Sequence, residues 1–479
     1  MGTANLCTLY ERVRAFTHSL TDTKLNLTNL ELHEIPDDVA ELLSKDNAGS
    51  RLTHLDLSHN TLSSIPATLL NSIPNLRILF CSSNVFKTLP DLRTVSSLFM
   101  VSFRSNLFSG ELGVQQLPST VGWLILTDNQ ITALPENFGT HLPRVRKLML
   151  ANNQLTTLPP LLAESGLNDN LELIRLSNNK FEQIPECLLH FSKLSWLGLG
   201  GNPCTASSIQ SLSELDQSLR VDVNDYVLET LPSLGTGASG NVYLAMARGA
   251  YVHTKNTQSN IHSEEDDEKA VIDSTHKDAV AIKLFKGELT SDGHVLDEVQ
   301  TAVALRNVEG LIPVHAYVGA DNGAGAGLVM SLIRDMHSLG DPPSFASVTR
   351  DVYPGAKRFD TIEQARRFLL CISGVAKEIH ALKHTHGDLY AHNILYSSST
   401  NESYLTDMGA AFPYKDDRIE LLEVRAFGCL IEEMCDQCDA YDTDKDVRDA
   451  LLALAKECMG ADLSARPRFS VVAERLSKF

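Results

Sequence analysis

With 479 residues and 43% hydrophobic content, the chain is long enough for two or three cores and ordinary for a soluble globular protein. Its net charge of −19 argues against non-specific binding to nucleic acid or to an anionic membrane. No run approaches the roughly 18 apolar residues that a bilayer span needs. Met1 to Leu6 lacks the charged and apolar regions of a secretory signal, and Leu6 stands where myristoylation wants Ser or Thr. Nine scattered cysteines, odd in number, suit reduced thiols in the cytoplasm. Cys435 and Cys438 make a C-x-x-C, but no further ligand pair stands at zinc spacing.

The first half of the chain repeats. Leu52-x-x-Leu55-x-Leu57-x-x-Asn60-x-Leu62-x-x-Ile65-Pro66 recurs with Asn84, Asn106, Asn129, Asn153, Asn179 and Asn202 in the Asn slot, at intervals of 22 to 26 residues. A first copy, Leu25 to Pro36, has Leu30 in that slot. The pattern is that of a leucine-rich repeat array of seven to eight repeats over residues 20–220. Each Leu-x-Leu is expected to be a short strand whose apolar side chains stack on neighbouring repeats, because one copy alone cannot bury its face. The Asn is expected to point inward and satisfy backbone groups of the turn. The residues between the leucines, among them His54, Asp56, Arg175, Ser177, Trp196 and Gly198, are expected to face solvent on a concave side that binds a protein partner. Ile209 to Leu219 reads as a capping helix, with the domain boundary between residues 203 and 225.

A strand-like run, Tyr226 to Leu231, precedes Gly235-Thr236-Gly237-Ala238-Ser239-Gly240-Asn241-Val242. A lone G-x-G-x-x-G also serves plain hairpin turns. Here a second strand rather than a helix follows, which argues against a dinucleotide fold and for a loop covering phosphates. Residues 248–277, with the acidic run Glu264 to Glu268, are polar enough to read as a disordered insertion, and Ser259 or Ser263 could be regulatory sites within it. Val280-Ala281-Ile282-Lys283 then places a Lys on an apolar strand. Glu298, on a helix-like segment from Val295 to Arg306, is its expected carboxylate partner; a solvated helix residue is the plainer alternative.

Further on stands His386-Gly387-Asp388-Leu389-Tyr390-Ala391-His392-Asn393, with Asp407-Met408-Gly409 after it. Phosphoryl transfer from a magnesium nucleotide mainly requires positioning and charge neutralisation, by a carboxylate that orients the hydroxyl and oxygen ligands that hold Mg²⁺. Asp388 suits the base, and Asn393 and Asp407 suit the metal. Taken singly, each is a residue type that also favours turns.

These residues resemble the eukaryotic-type protein kinase family over residues 226–479. The resemblance implies an α/β leucine-rich repeat solenoid followed by an α+β bilobal protein kinase-like domain. It implies that Lys283 pairs with Glu298, that Asp388 is catalytic, and that Asn393 and Asp407 bind magnesium. ATP would lie under Gly235, Gly237 and Gly240, with Val242, Ala281 and Leu395 around the adenine and Met330 to Ile333, including Leu332, as gatekeeper and hinge. Glu423 to Gly428 looks like the start of the large central helix, and Arg466-Pro467 like the late Arg-Pro of the C-lobe.

Departures from the family pattern are plain. Gly387 replaces the usual Arg, and Tyr390 replaces the usual Lys, whose phosphate contact His392 could take over in part. Met408 stands for Phe, a mild change. Residues 410–422 leave little room for the usual activation loop and peptide platform, and no Ala-Pro-Glu occurs there. The expectation is therefore an ATP-dependent protein kinase of Ser/Thr type with a repeat interaction domain. A small-molecule kinase of the aminoglycoside and choline kinase type, which shares the His-Gly-Asp, and a catalytically silent scaffold remain alternatives.

Overall fold

The computed structural model describes residues 3–205, 214–229, 233–237, 239–250, 277–287, 293–319, 325–439 and 444–479. In the first half, β1 (Lys24–Asn26), β2 (His54–Asp56), β3 (Ile78–Phe80), β4 (Met100–Ser102), β5 (Trp123–Ile125), β6 (Lys147–Met149), β7 (Leu173–Arg175) and β8 (Trp196–Gly198) form one 8-stranded sheet in chain order. Neighbours are parallel and in register, so Leu55, Leu79, Val101, Leu124, Leu148, Ile174 and Leu197 align behind Leu25. All of these are buried and belong to one continuous core.

The inward Asn side chains form a ladder. Asn60 accepts at Oδ1 from the amides of Leu30 (3.1 Å) and Leu32 (3.0 Å) and donates from Nδ2 to the carbonyls of Leu27 and Leu57 (2.9 Å each). Backbone groups that three-residue strands leave unpaired are thus satisfied from the side. The residue before each ladder position takes a left-handed backbone: Asn29, His59, Ser83, Ser105, Asp128, Asn152 and Asn178 have φ between 52° and 61°. Pro36 and Pro66 begin the convex helices Asp37–Ser44 and Ala67–Ser72.

An amphipathic helix, α1 (Thr3–His18), closes the open end of the array, with Leu9, Val13 and Phe16 buried in the repeat core. The core therefore begins before residue 20. The spacing of Leu6, Leu9, Val13 and Phe16 carried that signal in the sequence.

The second half has two parts. In the upper one, β9 (Tyr226–Glu229), β10 (Gly240–Ala247), β11 (Ala279–Phe285), β12 (Val314–Val318) and β13 (Gly327–Ser331) form an antiparallel sheet in the order β12-β13-β11-β10-β9, with Arg220–Val221 parallel to β12. Helix α2 (Val295–Ala304) packs Val295, Val299 and Val303 against Phe285, Tyr317 and Leu328 of that sheet. The lower part gathers α3 (Ile362–Ala381), α4 (Arg418–Asp436), α5 (Lys445–Cys458) and α6 (Phe469–Leu476) around the hairpin β14 (Ile394–Tyr396)/β15 (Ser403–Leu405). A Thr361/Gln364 capping box starts α3. Buried residues on every face of α4 make it the centre of the helical part.

Several expectations are corrected. Helix α4 starts at Arg418, earlier than Glu423, because Ile419 and Leu422 find apolar partners in the repeat core. The segment after Gly409 is therefore only residues 410–417. Of the expected capping helix, residues 209–213 lie outside the described residues, and Gln217–Leu219 is a single 3₁₀ turn. Of the insertion 248–277, residues 251–276, with Ser259 and Ser263, also lie outside them.

The largest correction concerns the concave face. Arg175, Ser177, Trp196 and Gly198 do not face solvent but are buried against the second half of the same chain. Leu173 and Trp196 belong to the core of the helical part, and Phe412, Tyr414, Ile419 and Leu422 to the core of the repeats. Polar contacts frame this seam: Arg418 Nη1 to Glu186 Oε1 at 2.6 Å, Arg425 Nη1 to Ser195 Oγ at 2.6 Å, and Arg466 Nη2 to the Ser192 carbonyl at 2.9 Å.

Candidate active site

A cleft of about 500 Å³ opens between the sheet and the helical part. Gly235, Gly237, Gly240, Val242, Ala281, Lys283, Glu298, Met330, Leu332, Leu395 and Asp407 all line it. The glycine turn closes through the Gly237 amide on the Gly240 carbonyl at 2.9 Å. Gly240 passes so near β11 that a Cβ would sit 2.5 Å from the Leu284 carbonyl oxygen. In register, β10 places Val242 opposite Lys283 and Leu244 opposite Ala281.

Lys283 reaches from β11 to α2, where its Nζ lies 2.5 Å from Glu298 Oε1 and 3.5 Å from Asp407 Oδ1. Burial pulls the ammonium pKa down, but Asp407 and then Glu298 outweigh it, and the net shift is upward. Lys283 is thus a firmly charged group on the cleft floor. Asp407 has a left-handed backbone, φ 57°, and a half-exposed carboxylate.

The hairpin β14/β15 brings the other residues together, because Asn393 immediately precedes its first strand and Asp407 stands two positions after its second. Thr406 ties the two ends through its amide (2.8 Å) and hydroxyl (3.0 Å) to the Asn393 carbonyl. Asn393 Nδ2 donates to the Asp388 backbone carbonyl (2.9 Å) and to Asp388 Oδ2 (3.0 Å). His386 Nε2 donates to the Thr406 carbonyl at 2.8 Å, leaving Nδ1 to accept the Asp388 amide at 3.3 Å. Asp388 and Asn393 stand beside the cleft rather than in its lining.

Three residues that matter here were not read from the sequence. Glu423 of α4 accepts from the amides of His386 (3.1 Å) and Gly387 (2.6 Å) and bonds His380 Nε2 at 2.8 Å, fixing the loop from beneath. An acid inside the apolar run of α4 was its signal. Asp351 binds His392 at Nδ1 (2.7 Å) and at the amide (2.8 Å), so that ring nitrogen is committed to Asp351 rather than to a phosphate.

The third is Arg175 of β7. Its Nη1 donates to the Gly387 carbonyl at 3.1 Å and its Nη2 pairs with Asp388 Oδ1. Burial alone would raise the Asp388 pKa; Arg175, followed by His392, His386 and Lys147, brings it below the ordinary value. On the adjacent strand β8, Trp196, opposite Leu173, stacks on Tyr390 and donates Nε1 to the Leu389 carbonyl at 3.2 Å. Both departures in the motif therefore face the repeats. At Gly387, φ is 72° and a Cβ would lie 2.5 Å from the Ala410 carbonyl oxygen and 2.9 Å from that of Leu197.

The donor set fits a hard cation: Asn393 keeps its side-chain carbonyl oxygen and Asp407 a carboxylate. Among the described residues no three His, Cys, Asp or Glu side chains converge as a metal cage, so such an ion would be shared with a ligand's oxygens.

Residues 50–94 match the family described as Leucine Rich repeats (2 copies). The chain is similar to Leucine-rich repeats and immunoglobulin-like domains protein 1 of Homo sapiens, 31% identical over 150 residues, which cover 31% of this chain and 14% of that protein. It is similar to Chaoptin of Drosophila melanogaster, 27% identical over 205 residues, 42% of this chain and 14% of that protein. A third relative is Leucine-rich repeat serine/threonine-protein kinase 1 of Mus musculus, 23% identical over 233 residues, 38% of this chain and 12% of that protein. The chain thus spans 14% or less of the length of each of these relatives. Its first half is a leucine-rich repeat array. Among the described residues, no helix is long and apolar enough to cross a membrane.

Proposed function

We propose that the second half is a protein kinase-like domain that transfers the γ-phosphate of ATP to a hydroxyl, and that the leucine-rich repeats are joined to it as one unit. The observation that carries this reading is the Lys283–Glu298 pair at 2.5 Å, with Asp407 3.5 Å from the same ammonium, on the floor of a cleft roofed by the glycine turn. Lys283 would bind the nucleotide phosphates, Glu298 would hold Lys283 in place, and Val242, Ala281 and Leu395 would pack on the base. Asp388 would accept the proton of the acceptor hydroxyl as its oxygen bonds to the γ-phosphorus and the bond to the bridging oxygen breaks, releasing ADP. Asn393 and Asp407 would hold Mg²⁺, which when bound neutralises phosphate charge. One relative with leucine-rich repeats is named as a serine/threonine-protein kinase, at 23% identity, so the pairing of repeats with a kinase has a named counterpart.

A second reading is favoured by one observation. Phe412 and Tyr414, in the segment where a peptide platform would form, are buried in the repeat core, which favours a small hydroxyl acceptor held by the cleft mouth. Phe345 of the second half also reaches His54, Phe80 and Trp123 on the concave side, so what is left there for a protein partner is the partly exposed edge around Asp56. A cytoplasmic setting suits the nine cysteines, each a free thiol.

The test is transfer from γ-labelled ATP and Mg²⁺ with a cell extract as the source of acceptor. Label should enter protein or a small metabolite, which decides between the two acceptors, and Asp388→Asn should slow it by about 10² to 10⁴-fold. Equal rates for parent and Asp388→Asn would remove Asp388 from its role, and a parent without transfer would leave a silent scaffold.

A further inference from the structure

The loop His386 to Asn393 contains no Lys or Arg, yet its central carboxylate is paired with a guanidinium. We propose that the repeat array is a fixed part of the catalytic unit, and that it supplies Arg175 as the positioning residue of Asp388, in place of a cation the loop itself lacks. This rests on the phosphotransferase reading above.

Four features make the contact a built one. The Arg175 side chain is 3% exposed and spends both terminal nitrogens on the loop, one on the Gly387 carbonyl and one on Asp388 Oδ1. Its stem crosses the neighbouring strand at Gly198, where a Cβ would come within 2.7 Å of Arg175 Cδ. On the other side, Gly387 lets the loop approach the Leu197 carbonyl, as any Cβ would lie 2.9 Å from that oxygen. Trp196 and Tyr390, both buried, stack beside the Arg175 end of the ion pair, while the Asp388 carboxylate stays 23% exposed. A guanidinium–carboxylate bond is charge-assisted and directional.

The chemistry follows from the two oxygens. Arg175 holds Oδ1 and Asn393 Nδ2 holds Oδ2, so the carboxylate cannot rotate. Each oxygen keeps a further lone pair, which can receive a proton from a hydroxyl delivered on the cleft side. Orientation of this kind shortens the search for a reactive geometry rather than strengthening nucleotide binding.

An inhibitory cap is the competing view, and the packing speaks against it. A cap must come off, but here removal would expose Trp196, Leu173, Tyr390, Phe412, Tyr414, Ile419 and Leu422, which are shared between the two cores. Large rings buried in this way dominate the energetics of an interface. The seam has the composition of a domain core rather than of a reversible contact.

The experiment uses the full chain in the labelled-ATP assay, with kcat, KM for ATP and thermal melting read for each variant. Arg175→Ala should lower kcat about 10²-fold while KM for ATP changes by less than about 2-fold, since Arg175 is outside the nucleotide cleft. Arg175→Lys, and added guanidinium ion with Arg175→Ala, should each recover part of the rate. Glu186→Ala, which breaks the exposed seam contact with Arg418, should keep the parent rate. If the alanine variant does not fold, Arg175→Gln, which keeps the stem and a donor, carries the same comparison. An unchanged or faster rate in Arg175→Ala would overturn the proposal, as would a loss that follows melting and that neither Lys nor guanidinium relieves. A parent that transfers no phosphate sinks the phosphotransferase reading and this one with it; an active parent indifferent to Arg175 sinks this one alone.

Discussion

Trp196 of the last repeat lies flat on Tyr390 of the loop after the candidate base, with ring centroids 4.3 Å apart and planes 5° from parallel. This one stack joins the repeat array to the candidate catalytic loop and accounts for an aromatic at position 390. Trp196→Ala should cost about 3 to 5 kcal/mol, the range for a large buried aromatic. Urea unfolding followed by far-UV circular dichroism measures it, and a loss under about 1 kcal/mol would mean that the seam is not a core.

Gly387→Ala places a methyl group against the carbonyl oxygens of Ala410 and Leu197 at a φ of 72°. Strain and collision together should destabilise by more than about 1 kcal/mol. Turnover should fall as well, since the Arg175 contact runs through this residue's carbonyl. Melting temperature and transfer rate, measured on the same preparation, check both parts.

Lys283→Met keeps the aliphatic stem in the cleft and removes the charge that Glu298 and Asp407 share. Transfer should drop by about 10² to 10³-fold, the scale of losing one charge-stabilising donor. A variant that melts like the parent and turns over ATP at the parent rate would refute the role given to this lysine.

Asn153→Ala tests the ladder away from the site. Its Oδ1 accepts the Ile131 amide at 3.0 Å, and its Nδ2 donates to the carbonyls of Leu126 (3.0 Å) and Leu150 (3.1 Å). Orphaning these buried groups should cost about 1 to 3 kcal/mol in the unfolding free energy. The strands on either side should lose hydrogen-exchange protection first.

Glu423 gives a pH dependence. Burial raises its pKa, but the His380 hydrogen bond, the neighbouring His380 and His386 imidazoles and the Gly387 amide more than offset this, so the folded value lies below the ordinary 4.5. A carboxyl depressed on folding stabilises the protein above its unfolded pKa, and that contribution is lost as pH falls through the folded value. The difference in stability between parent and Glu423→Gln should therefore be constant above about pH 5.5 and shrink as pH drops below about 4.5. A difference that grew toward acid pH would contradict the sign.

How much was legible depended on whether the signal was local. The ladder asparagines, the strand residues Leu55 to Leu197 and the glycine turn could be read because their jobs repeat at fixed spacing or sit within one turn of chain. The helix α1 is equally local, since Leu9, Val13 and Phe16 stand at helical intervals. The start of α4 was misplaced because Ile419 and Leu422 look like loop residues until the repeat core that receives them is present.

The site divides in the same way. Lys283, Glu298, Asp388, Asn393 and Asp407 could be picked from residue type and order alone, since each belongs to a short segment with a recognisable neighbour. That Lys283 and Glu298 meet at 2.5 Å, and that Asn393 holds Asp388 at 3.0 Å, are tertiary facts. Gly387 and Tyr390 read in the sequence as losses. In the fold they are the places where Leu197 and Trp196 fit, and Arg175, more than two hundred residues upstream, supplies the charge that the loop lacks. The sequence by itself determined the repeats and the candidate catalytic set, because periodicity and short spacing are properties of the chain. Only the tertiary structure decided that the concave face is filled by the chain's own second half, because burying Trp196 and Tyr390 against each other is a gain that no local pattern records.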